Sequence, residues 1–519
     1  MTLSYRNMEL PSFALKLDHD KLVALAIISL ATLVTSLAAI AIYRVWFHPL
    51  SIFPGPRWLA VSNVPERWMS NISGTWIWRV SPLHRKYGPI VRIGPNRLAV
   101  DGSIGWFQVY AMRGKDDEFP KYPEYIFPGD GLSILGANQT NHRRHRRQFW
   151  SAFNDQALVE QEIVIQPYTD MLLQRLSERA KVGDPINIVD WINFLLFDIA
   201  GELVFSQPFD CLDKQEYHPW VSNFFWAVKG NAMNRFVKHY PVIEPFMNFF
   251  FTGKEQIKRE TDQRNMTFHH AMQRMKLGEQ PTPGRRDFMS FLMRRNRDGG
   301  GLTDPEILVD CPVLIGASSE TTTTALSGFF FYLGTSPQAY QRLVEEVRSS
   351  FKSESEINMK TTKQLEYLNA TVDEALRVYP PAAESPPRIS PGAEIDGKYL
   401  PKGVIVSIYQ WGTFHNPENF ADPDDYIPER WLQPSHPLHN PKYANDNRSV
   451  FRPFGFGMRD CLGKNLAHAE IRVVVSRILY RFDYELGPNQ EDWHSSQKCF
   501  LAWDKKPLIL TLKPRDFAP

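Results

Sequence analysis

A cysteine near the C-terminus stands in a run of residues that could present its sulfur to a metal. The run is Phe454-Gly455-Phe456-Gly457-Met458-Arg459-Asp460-Cys461-Leu462-Gly463. A helix is predicted from Lys464 to about Phe482, and its unpaired N–H groups and positive dipole end would point back at the sulfur. Both effects favour the thiolate, which is the form that binds metals. A buried free cysteine is the commoner state of a lone Cys, but the fixed spacing of residue types around this one favours a ligand.

The neighbours of Cys461 suit a flat, negatively charged partner. Gly457 and Gly463 would let the backbone turn tightly and approach something bulky without a Cβ in the way. Arg459 supplies a permanent cation close to the sulfur, suited to a carboxylate on whatever the sulfur binds. The pattern Phe-x-x-Gly-x-Arg-x-Cys-x-Gly, which starts at Phe454, resembles the haem-binding loop of the cytochrome P-450 family. The resemblance implies haem b with Cys461 as the axial iron ligand and with Phe454, Gly457, Arg459 and Gly463 around the cofactor.

A second pattern predicts a buried ion cluster that fixes the cysteine loop. Glu374 and Arg377 stand three residues apart in a predicted helix that ends at Pro380, so both lie on one face. An ordinary surface pair is the plain alternative. The pattern is similar to the Glu-x-x-Arg helix of the same family, where an arginine from a Pro-Glu-Arg segment completes the cluster, and Arg430 fills that position. The resemblance implies a structural role for all three, because a carboxylate held by two arginines is costly to break.

A long apolar helix is predicted from Thr303, the first residue of a capping box, to about Gly334. Its middle is the run Ala317-Ser318-Ser319-Glu320-Thr321-Thr322-Thr323-Thr324. Threonine hydroxyls can bond a preceding carbonyl, so a locally weak helix with self-satisfied hydroxyls is the plain alternative. The run resembles the oxygen-activating segment of the family. This implies that Thr321 lies over the haem as a hydrogen-bond donor and that Glu320 feeds protons in from solvent.

The long helix departs from the family pattern at two positions. Ser318 replaces the usual glycine, and because serine is small, dioxygen should still fit. Pro312 removes a helix hydrogen bond about two turns upstream and predicts a kink there.

The densest basic run of the chain is Asn141-His142-Arg143-Arg144-His145-Arg146-Arg147. It could be a nucleic-acid patch, but 59 basic and 57 acidic residues give a net charge of only +2, so we expect no nucleic-acid partner. A solvated helix face is the usual alternative. The family has a helix with Trp or His four residues before an arginine, both touching a haem propionate. This implies that role for His142 and Arg146, and Arg388 is a third candidate beside Arg459.

The resemblance also implies an electron donor. No flavin- or nicotinamide-binding signature stands in the sequence, so we expect electrons from a separate NADPH–cytochrome P-450 reductase. The remaining arginines of the basic run, with Lys464 and Arg472, would form a basic docking face for this acidic partner.

An apolar segment near the N-terminus predicts a membrane anchor. Residues 22–43 carry no formal charge, and at about 1.5 Å per residue they can cross a hydrocarbon core of about 30 Å. A cleaved signal peptide usually has a shorter apolar core. We predict a short tail (1–21), a transmembrane anchor (22–43), a proline-rich stalk (44–60) and a catalytic domain (61–519). We expect a single-pass protein whose anchor contacts the lipid of the endoplasmic reticulum membrane and whose catalytic domain lies in the cytosol. The charges on the two sides of the anchor do not settle this orientation.

The rest of the chain predicts a mainly α protein with a smaller β region. A hairpin is expected between Pro89 and Val100, helices from there to about residue 380, and short strands at residues 388–412. Length alone would suggest about three domains. The motifs at His142, Thr321 and Cys461 must converge on one cofactor, so we expect a single large catalytic domain with the cytochrome P-450 fold. Four widely spaced cysteines give no disulfide framework and indicate a reducing compartment.

The resemblance implies a membrane-anchored haem-thiolate monooxygenase that uses O2 to oxidise a bulky apolar small molecule. Segments such as 83–89 look like those of fungal members, many of which act in secondary metabolism, so a terpenoid or polyketide is expected. Apolar pocket residues, each equally explained as plain core, are expected near Phe127, Phe224–Phe225, Leu314–Ser318, Ser385–Pro387 and Phe500–Leu501. Two alternatives stay open: a haem-thiolate isomerase or dehydratase that uses no O2, and a non-catalytic haem-binding membrane protein.

Overall fold

A computed structural model describes residues 19–515 apart from residues 113, 115–117, 124–129, 243, 247–253, 280, 282–284 and 295–300. Phe127, one of the expected pocket residues, therefore lies outside the described part, as does most of the N-terminal tail. The described residues are mostly helical, with four small sheets. The expected mainly α fold with a smaller β region is confirmed.

The α-helices, numbered in chain order, are α1 (His19–Ile42), α2 (Arg57–Val61), α3 (Val64–Asn71), α4 (Ile77–Tyr87), α5 (Gly102–Gly105), α6 (Gln139–Trp150), α7 (Asp155–Val182), α8 (Ile188–Phe205), α9 (Cys211–Lys214), α10 (Pro219–His239), α11 (Lys254–Lys276), α12 (Phe288–Leu292), α13 (Asp304–Gly334), α14 (Pro337–Ser350), α15 (Met359–Thr362), α16 (Glu366–Val378), α17 (Gln410–Phe414) and α18 (Lys464–Arg481). The strands are β1 (Ile90–Gly94), β2 (Arg97–Val100), β3 (Ile186–Asn187), β4 (Arg388–Ile389), β5 (Ala393–Ile395), β6 (Lys398–Leu400), β7 (Ile405–Ser407), β8 (Phe482–Leu486), β9 (Lys498–Cys499), β10 (Trp503–Asp504) and β11 (Ile509–Pro514).

Helix α13 is the central element of the domain. It begins with the predicted capping box, in which Thr303 and Glu306 satisfy each other's backbone amides, a contribution of about 1 kcal/mol. It packs most extensively against α8, a helix that is apolar and buried on nearly every side, and it also contacts α16 and α18. The helix is continuous through Pro312, so the missing hydrogen bond does not end it. The two helices that carry the Glu374 and Cys461 motifs thus lie against the helix that carries Thr321.

The larger sheet sits beside this helical core. Strands β1 and β2 form the predicted antiparallel hairpin, with Ile90 opposite Val100. Strand β7 joins β2 in parallel, and β4 completes the order β1-β2-β7-β4. A second sheet has the order β3-β11-β8. Because β4 contains Arg388, this sheet holds one of the candidate haem contacts in place.

The N-terminal helix α1 has no buried residues. With the following turn it spans His19–Phe47, has a mean hydropathy of 2.4 over its most apolar window, and is long and apolar enough to cross a membrane. The proline-rich segment that follows packs onto the domain: Leu50 and Phe53 are buried in the cluster under the larger sheet. Residues Pro49–Ile52 form a 3-10 turn, so the segment is not extended throughout. The division of the chain at residues 21, 43 and 60 stays a prediction.

Candidate active site

The cysteine loop is closed by its own backbone. The amide of Cys461 donates to the Phe454 carbonyl at 2.8 Å, and the amide of Gly455 donates to the Arg452 carbonyl at 2.9 Å. Helix α18 begins at Lys464 directly after the loop, as predicted. Among the four cysteines only Cys461 is exposed. The loop therefore presents one sulfur, at a helix N-terminus, to open space.

Only one of the two expected glycines is needed for a tight backbone approach. Gly457 has φ +81°, and a Cβ there would lie 2.2 Å from the Tyr110 carbonyl oxygen, so no side chain fits. Gly463 has φ −82°, which any residue adopts. A Cβ at Gly463 would lie 3.9 Å from Cys461 Sγ, in ordinary contact. The expected tight turn at Gly463 is wrong, and glycine there leaves room beside the sulfur.

The electrostatic surroundings of the sulfur differ from the expectation. Atoms packed around Cys461 desolvate its thiol, and this burial raises its pKa even though the side chain touches open space. The amide of Gly463 and the charges of Arg146 and Lys464 oppose the rise. The helix N-terminus was expected to favour the thiolate, and the Gly463 amide does act in that direction, but it does not bring the pKa below its usual value in the protein alone. Desolvation is the larger effect, so the thiolate needs a further positive partner.

A cluster of cations lies around His142 on α6. Burial and then the charges of Arg459, Lys121, Arg146 and Arg388 lower the pKa of His142 to about 3. These residues come from α6, from the cysteine loop, from β4 and from the segment before α6. The structure therefore brings together all four of the residues that were expected at the propionates. A buried concentration of positive charge of this kind favours an anionic ligand.

The acids near this cluster leave part of its charge uncompensated. Arg459 Nη2 donates to Glu118 at 3.0 Å, and Arg146 pairs with Asp460 and donates to its carbonyl at 2.8 Å. Arg388 is buried against the Tyr110 ring at 4.8 Å, and its Nη1 has no hydrogen-bond partner in the described part of the chain. Such an orphaned buried donor is costly unless a ligand satisfies it. The propionates of haem are carboxylates, which accept hydrogen bonds from arginine. The residues present therefore fit haem.

The ion cluster at Glu374 has the predicted members and two more. Arg377 donates to both carboxylate oxygens of Glu374, at 2.9 and 2.7 Å, and Arg430 Nε donates to Oε1 at 3.1 Å. Trp431 Nε1 adds a 2.8 Å hydrogen bond to Oε2, and Arg430 also pairs with Asp446. Burial opposes ionisation of Glu374, but the two arginines outweigh it and lower its pKa. Glu374, Arg377 and Arg430 are all buried, so the surface-pair alternative is wrong.

The polar run of α13 is helical throughout, and most of its hydroxyls bond carbonyls one turn back, although the buried Thr323 Oγ1 has no partner among the described residues. Thr321 Oγ1 donates to the Ala317 carbonyl at 2.7 Å, and Ser318 Oγ to the Leu314 carbonyl at 2.8 Å. Thr321 is exposed, whereas Glu320 and Thr324 are buried. The local alternative of self-satisfied hydroxyls therefore describes the geometry of the protein without ligands. A hydroxyl at Thr321 remains open to an incoming partner because its oxygen keeps acceptor capacity and its proton can rotate.

Glu320 has a cation partner that the sequence reasoning missed. Lys505 pairs with Glu320 Oε1 and donates to Thr324 Oγ1 at 3.0 Å. Lys505 follows β10, far from Glu320 in sequence. Glu118 at Arg459 and Tyr110 under Arg388 were missed as well. None of the three stands in a motif, so only the folded contacts identify them.

The expected docking face is wrong in part. Arg472 is buried, and its Nη1 donates to Asn369 Oδ1 at 3.4 Å, while Arg144 is held by Glu306. Arg147 and Lys464 are exposed beside the cysteine loop. Those two residues are the part of the expected face that stays available to a partner.

Aromatic side chains of α10 cover α13 directly before the polar run. A Cβ at Gly316 would lie 2.6 Å from the Phe224 ring, so the ring packs directly on the helix backbone. Phe224 stacks on Trp220 with ring centroids 5.7 Å apart, and Phe197 lies 6.0 Å away. Leu314 belongs to the hydrophobic core and Phe224 packs against it, as the plain-core alternative expects, and a substrate pocket at these residues stays a prediction.

Comparisons with known proteins identify the family of the chain. A family model described as Cytochrome P450 matches residues 54–512, and the chain belongs to that family. It is 37% identical over 482 residues to Cytochrome P450 monooxygenase astJ of Aspergillus oryzae, covering 92% of this chain and 94% of that protein. It is 36% identical over 503 residues to Cytochrome P450 monooxygenase astA of Talaromyces wortmannii, covering 96% and 99%. It is 35% identical over 508 residues to Averantin hydroxylase of Dothistroma septosporum, covering 94% and 92%.

These matches show a P450 monooxygenase. Enzymes of the family bind haem b through an axial cysteine thiolate, and they require O2, an organic substrate and an electron-transfer partner. The expected family, enzyme class and cofactor are confirmed. The assignment of individual residues to the cofactor and to proton delivery stays a prediction, as does the identity of the reductase.

Proposed function

We propose that this chain is a membrane-anchored monooxygenase that hydroxylates a bulky apolar fungal secondary metabolite, a terpenoid or polyketide. The observation that carries the proposal is the exposed Cys461 beside a buried cationic cluster, in which Arg388 Nη1 has no hydrogen-bond partner among the residues that the structure describes. The names of the relatives support a monooxygenase, and one of them is a hydroxylase. The aromatic surface of α10 supports an apolar substrate.

Four assignments in the cofactor site follow. Cys461 holds the haem iron, while Arg388, Arg459, Arg146 and His142 hold the propionates. Bound haem supplies the activation of O2 and the oxidation of the substrate. Phe454 and Gly457 shape the loop around the sulfur, and Gly463 leaves space beside it. Glu374, Arg377 and Arg430 keep that loop in place from the α16 side.

The polar run of α13 manages protons. Thr321 Oγ1 would turn from the Ala317 carbonyl to donate a hydrogen bond into the site, and Glu320 would pass protons from solvent toward Thr321. The packed aromatic residues around Phe224 exclude bulk water, which favours the use of electrons for product over their loss to peroxide.

The proposed monooxygenase needs an electron donor and has a membrane location. Electrons come from NADPH through an NADPH–cytochrome P450 reductase, which docks at the face that includes Arg147 and Lys464. Helix α1 crosses the endoplasmic reticulum membrane, with the domain on the cytosolic side. The absence of disulfide pairs among the four cysteines is consistent with that compartment.

The test combines a spectrum with turnover. The full chain, reduced under carbon monoxide, should give the red-shifted Soret band of a thiolate-ligated haem. With reductase, NADPH and O2 it should convert an extract of apolar fungal metabolites to products that carry an atom from 18O2. Conversion without NADPH and O2 would establish the isomerase or dehydratase instead, and a thiolate spectrum without any substrate-linked NADPH use would establish a non-catalytic haem protein.

A further inference from the structure

The Glu320 carboxylate has one oxygen held and one oxygen free. Lys505 Nζ pairs with Oε1, whereas the buried Oε2 has no hydrogen-bond partner in the described residues. The side chains of Lys505 and Glu320 are only 5% and 10% exposed. A buried carboxylate oxygen without a partner is costly unless a hydrogen-bond donor such as a water reaches it.

Lys505 is rigidly placed. The residue follows β10, whose Trp503 and Asp504 pair with Cys499 and Lys498 of β9. The Trp503 indole is buried and donates to the Pro380 carbonyl at 2.9 Å. The hairpin therefore fixes the position of the Lys505 ammonium. From there Nζ donates one hydrogen bond to Glu320 Oε1 and another to Thr324 Oγ1.

The same turn also makes an ion pair with α10, the helix whose aromatic residues pack on α13. Asp504 Oδ1 lies 2.8 Å from Lys229 Nζ of α10, while the next residue faces α13. Two consecutive residues thus make ion pairs to two different helices. Because the Asp504–Lys229 pair is largely exposed, it is worth little by itself, and the hairpin of β9 and β10 is what fixes the position of Lys505.

We propose that Lys505 is a positioning residue for proton delivery, fixing Glu320 through Oε1 so that Oε2 is the atom that accepts a proton from solvent and releases it toward the oxygen site. The proposal rests on the proposed role of Glu320. In each cycle the proton that Oε2 releases is replaced from solvent, so the carboxylate ends in its starting state. Lys505 touches neither substrate nor cofactor in this scheme.

The test measures hydrogen peroxide and product per NADPH in the holoenzyme with reductase. In Lys505→Met, which keeps the length of the stem and removes the charge, the peroxide-to-product ratio should rise about tenfold, with a changed solvent deuterium isotope effect on that ratio. Lys505→Arg should restore most of the coupling. The matched control is Lys506→Met, because Lys506 is the exposed neighbour that donates to Ser496, and it should behave as wild type.

Two further variants separate the failure of this inference from the failure of the proposed function. If Glu320→Gln leaves the peroxide-to-product ratio unchanged, the proposed role of Glu320 is wrong. If Glu320→Gln raises the ratio but Lys505→Met does not, the positioning inference alone is wrong. The double variant Glu320→Gln/Lys505→Met should be no more uncoupled than Glu320→Gln, since residues that act as a pair are not additive.

Stability gives a readout independent of turnover. Lys505→Met leaves an uncompensated buried carboxylate, so its holoenzyme should unfold at a lower temperature than wild type. The double variant Glu320→Gln/Lys505→Met, which also removes the carboxylate, should recover most of that loss of stability. If Lys505→Met does not bind haem, the double variant should bind it again. Additive losses in the double variant would overturn the pairing on which the inference rests.

Discussion

The amide of Cys461 donates a 2.8 Å hydrogen bond to the carbonyl of Phe454, seven residues earlier in the chain. This bond closes the loop and leaves the Cys461 sulfur exposed at the start of α18. The other three cysteines are buried. The ligand assignment predicts that Cys461→Ser keeps the fold but abolishes the thiolate spectrum. The reduced, carbon monoxide-treated protein is the measurement. Cys499→Ser, a change at a buried cysteine away from the loop, should keep the spectrum, and a retained thiolate band in Cys461→Ser would contradict the assignment.

Haem affinity should depend on the orphaned donor of Arg388. Replacing this side chain in Arg388→Met removes a buried charge-assisted hydrogen bond of about 1.5–3 kcal/mol to a propionate. We expect haem to transfer to apomyoglobin about tenfold or more faster than from wild type. Arg175→Met, which removes a partly exposed arginine paired with Asp213, is the control. Equal transfer rates in the two variants would rule out a propionate contact for Arg388.

Thr321→Ala should uncouple the enzyme without removing its haem. The alanine keeps the helix, since the lost hydroxyl bonds only the Ala317 carbonyl in the described residues, but it offers no donor toward the oxygen site. Peroxide should form largely in place of product, at a similar rate of NADPH use. Thr335→Ala, at the exposed C-terminal end of the same helix, should stay coupled, and a fully coupled Thr321→Ala would remove Thr321 from proton delivery.

The Glu374 cluster should govern stability. Glu374→Gln leaves Arg377 and Arg430 buried with no carboxylate between them, at a cost of about 3–5 kcal/mol. Urea unfolding followed by circular dichroism measures this loss, and haem retention should fall with it. Glu366→Gln, at an exposed position in the first turn of the same helix, should change stability by no more than about 0.5 kcal/mol. A Glu374→Gln variant as stable as that control would contradict the structural role.

Stability should fall on acidification through Glu306. The hydrogen bond from Arg144 lowers the pKa of Glu306 from 4.5 to about 2. The folded state therefore binds this proton less readily than the unfolded chain, so the contribution is full above pH 4.5 and is lost between pH 4.5 and about 2. We expect a contribution of about 2–3 kcal/mol.

The control for Glu306 is a variant that cannot titrate. Glu306→Gln should be less stable than wild type near neutral pH, and its stability should fall less steeply below pH 4.5. Urea midpoints measured across this range compare the two slopes. Parallel slopes would show that the Arg144 contact does not persist in solution.

The sequence predicted the local elements well because their determinants are local. The capping box at Thr303, the start of α18 at Lys464 and the hairpin of β1 and β2 all depend on residues within a few positions of one another. The meeting of His142, Arg388 and Arg459 was also expected, but from family resemblance rather than from spacing.

The rest could not be predicted because it depends on burial and on distant contacts. The raised pKa of Cys461 reflects the packing of surrounding atoms, and the burial of Arg472 against α16 is likewise a tertiary property. Lys505 meets Glu320 across 185 positions of sequence. No periodicity or motif contains that information.

Tyr110 touches three walls of the site at once. Its carbonyl leaves no room for a side chain at Gly457, its hydroxyl donates to the Pro386 carbonyl at 2.8 Å, and its ring carries Arg388. A displacement of this one residue would therefore carry the sulfur's loop and the arginine along together. Tyr110 therefore couples the position of the Cys461 loop to that of Arg388, two elements that a bound macrocycle would contact together.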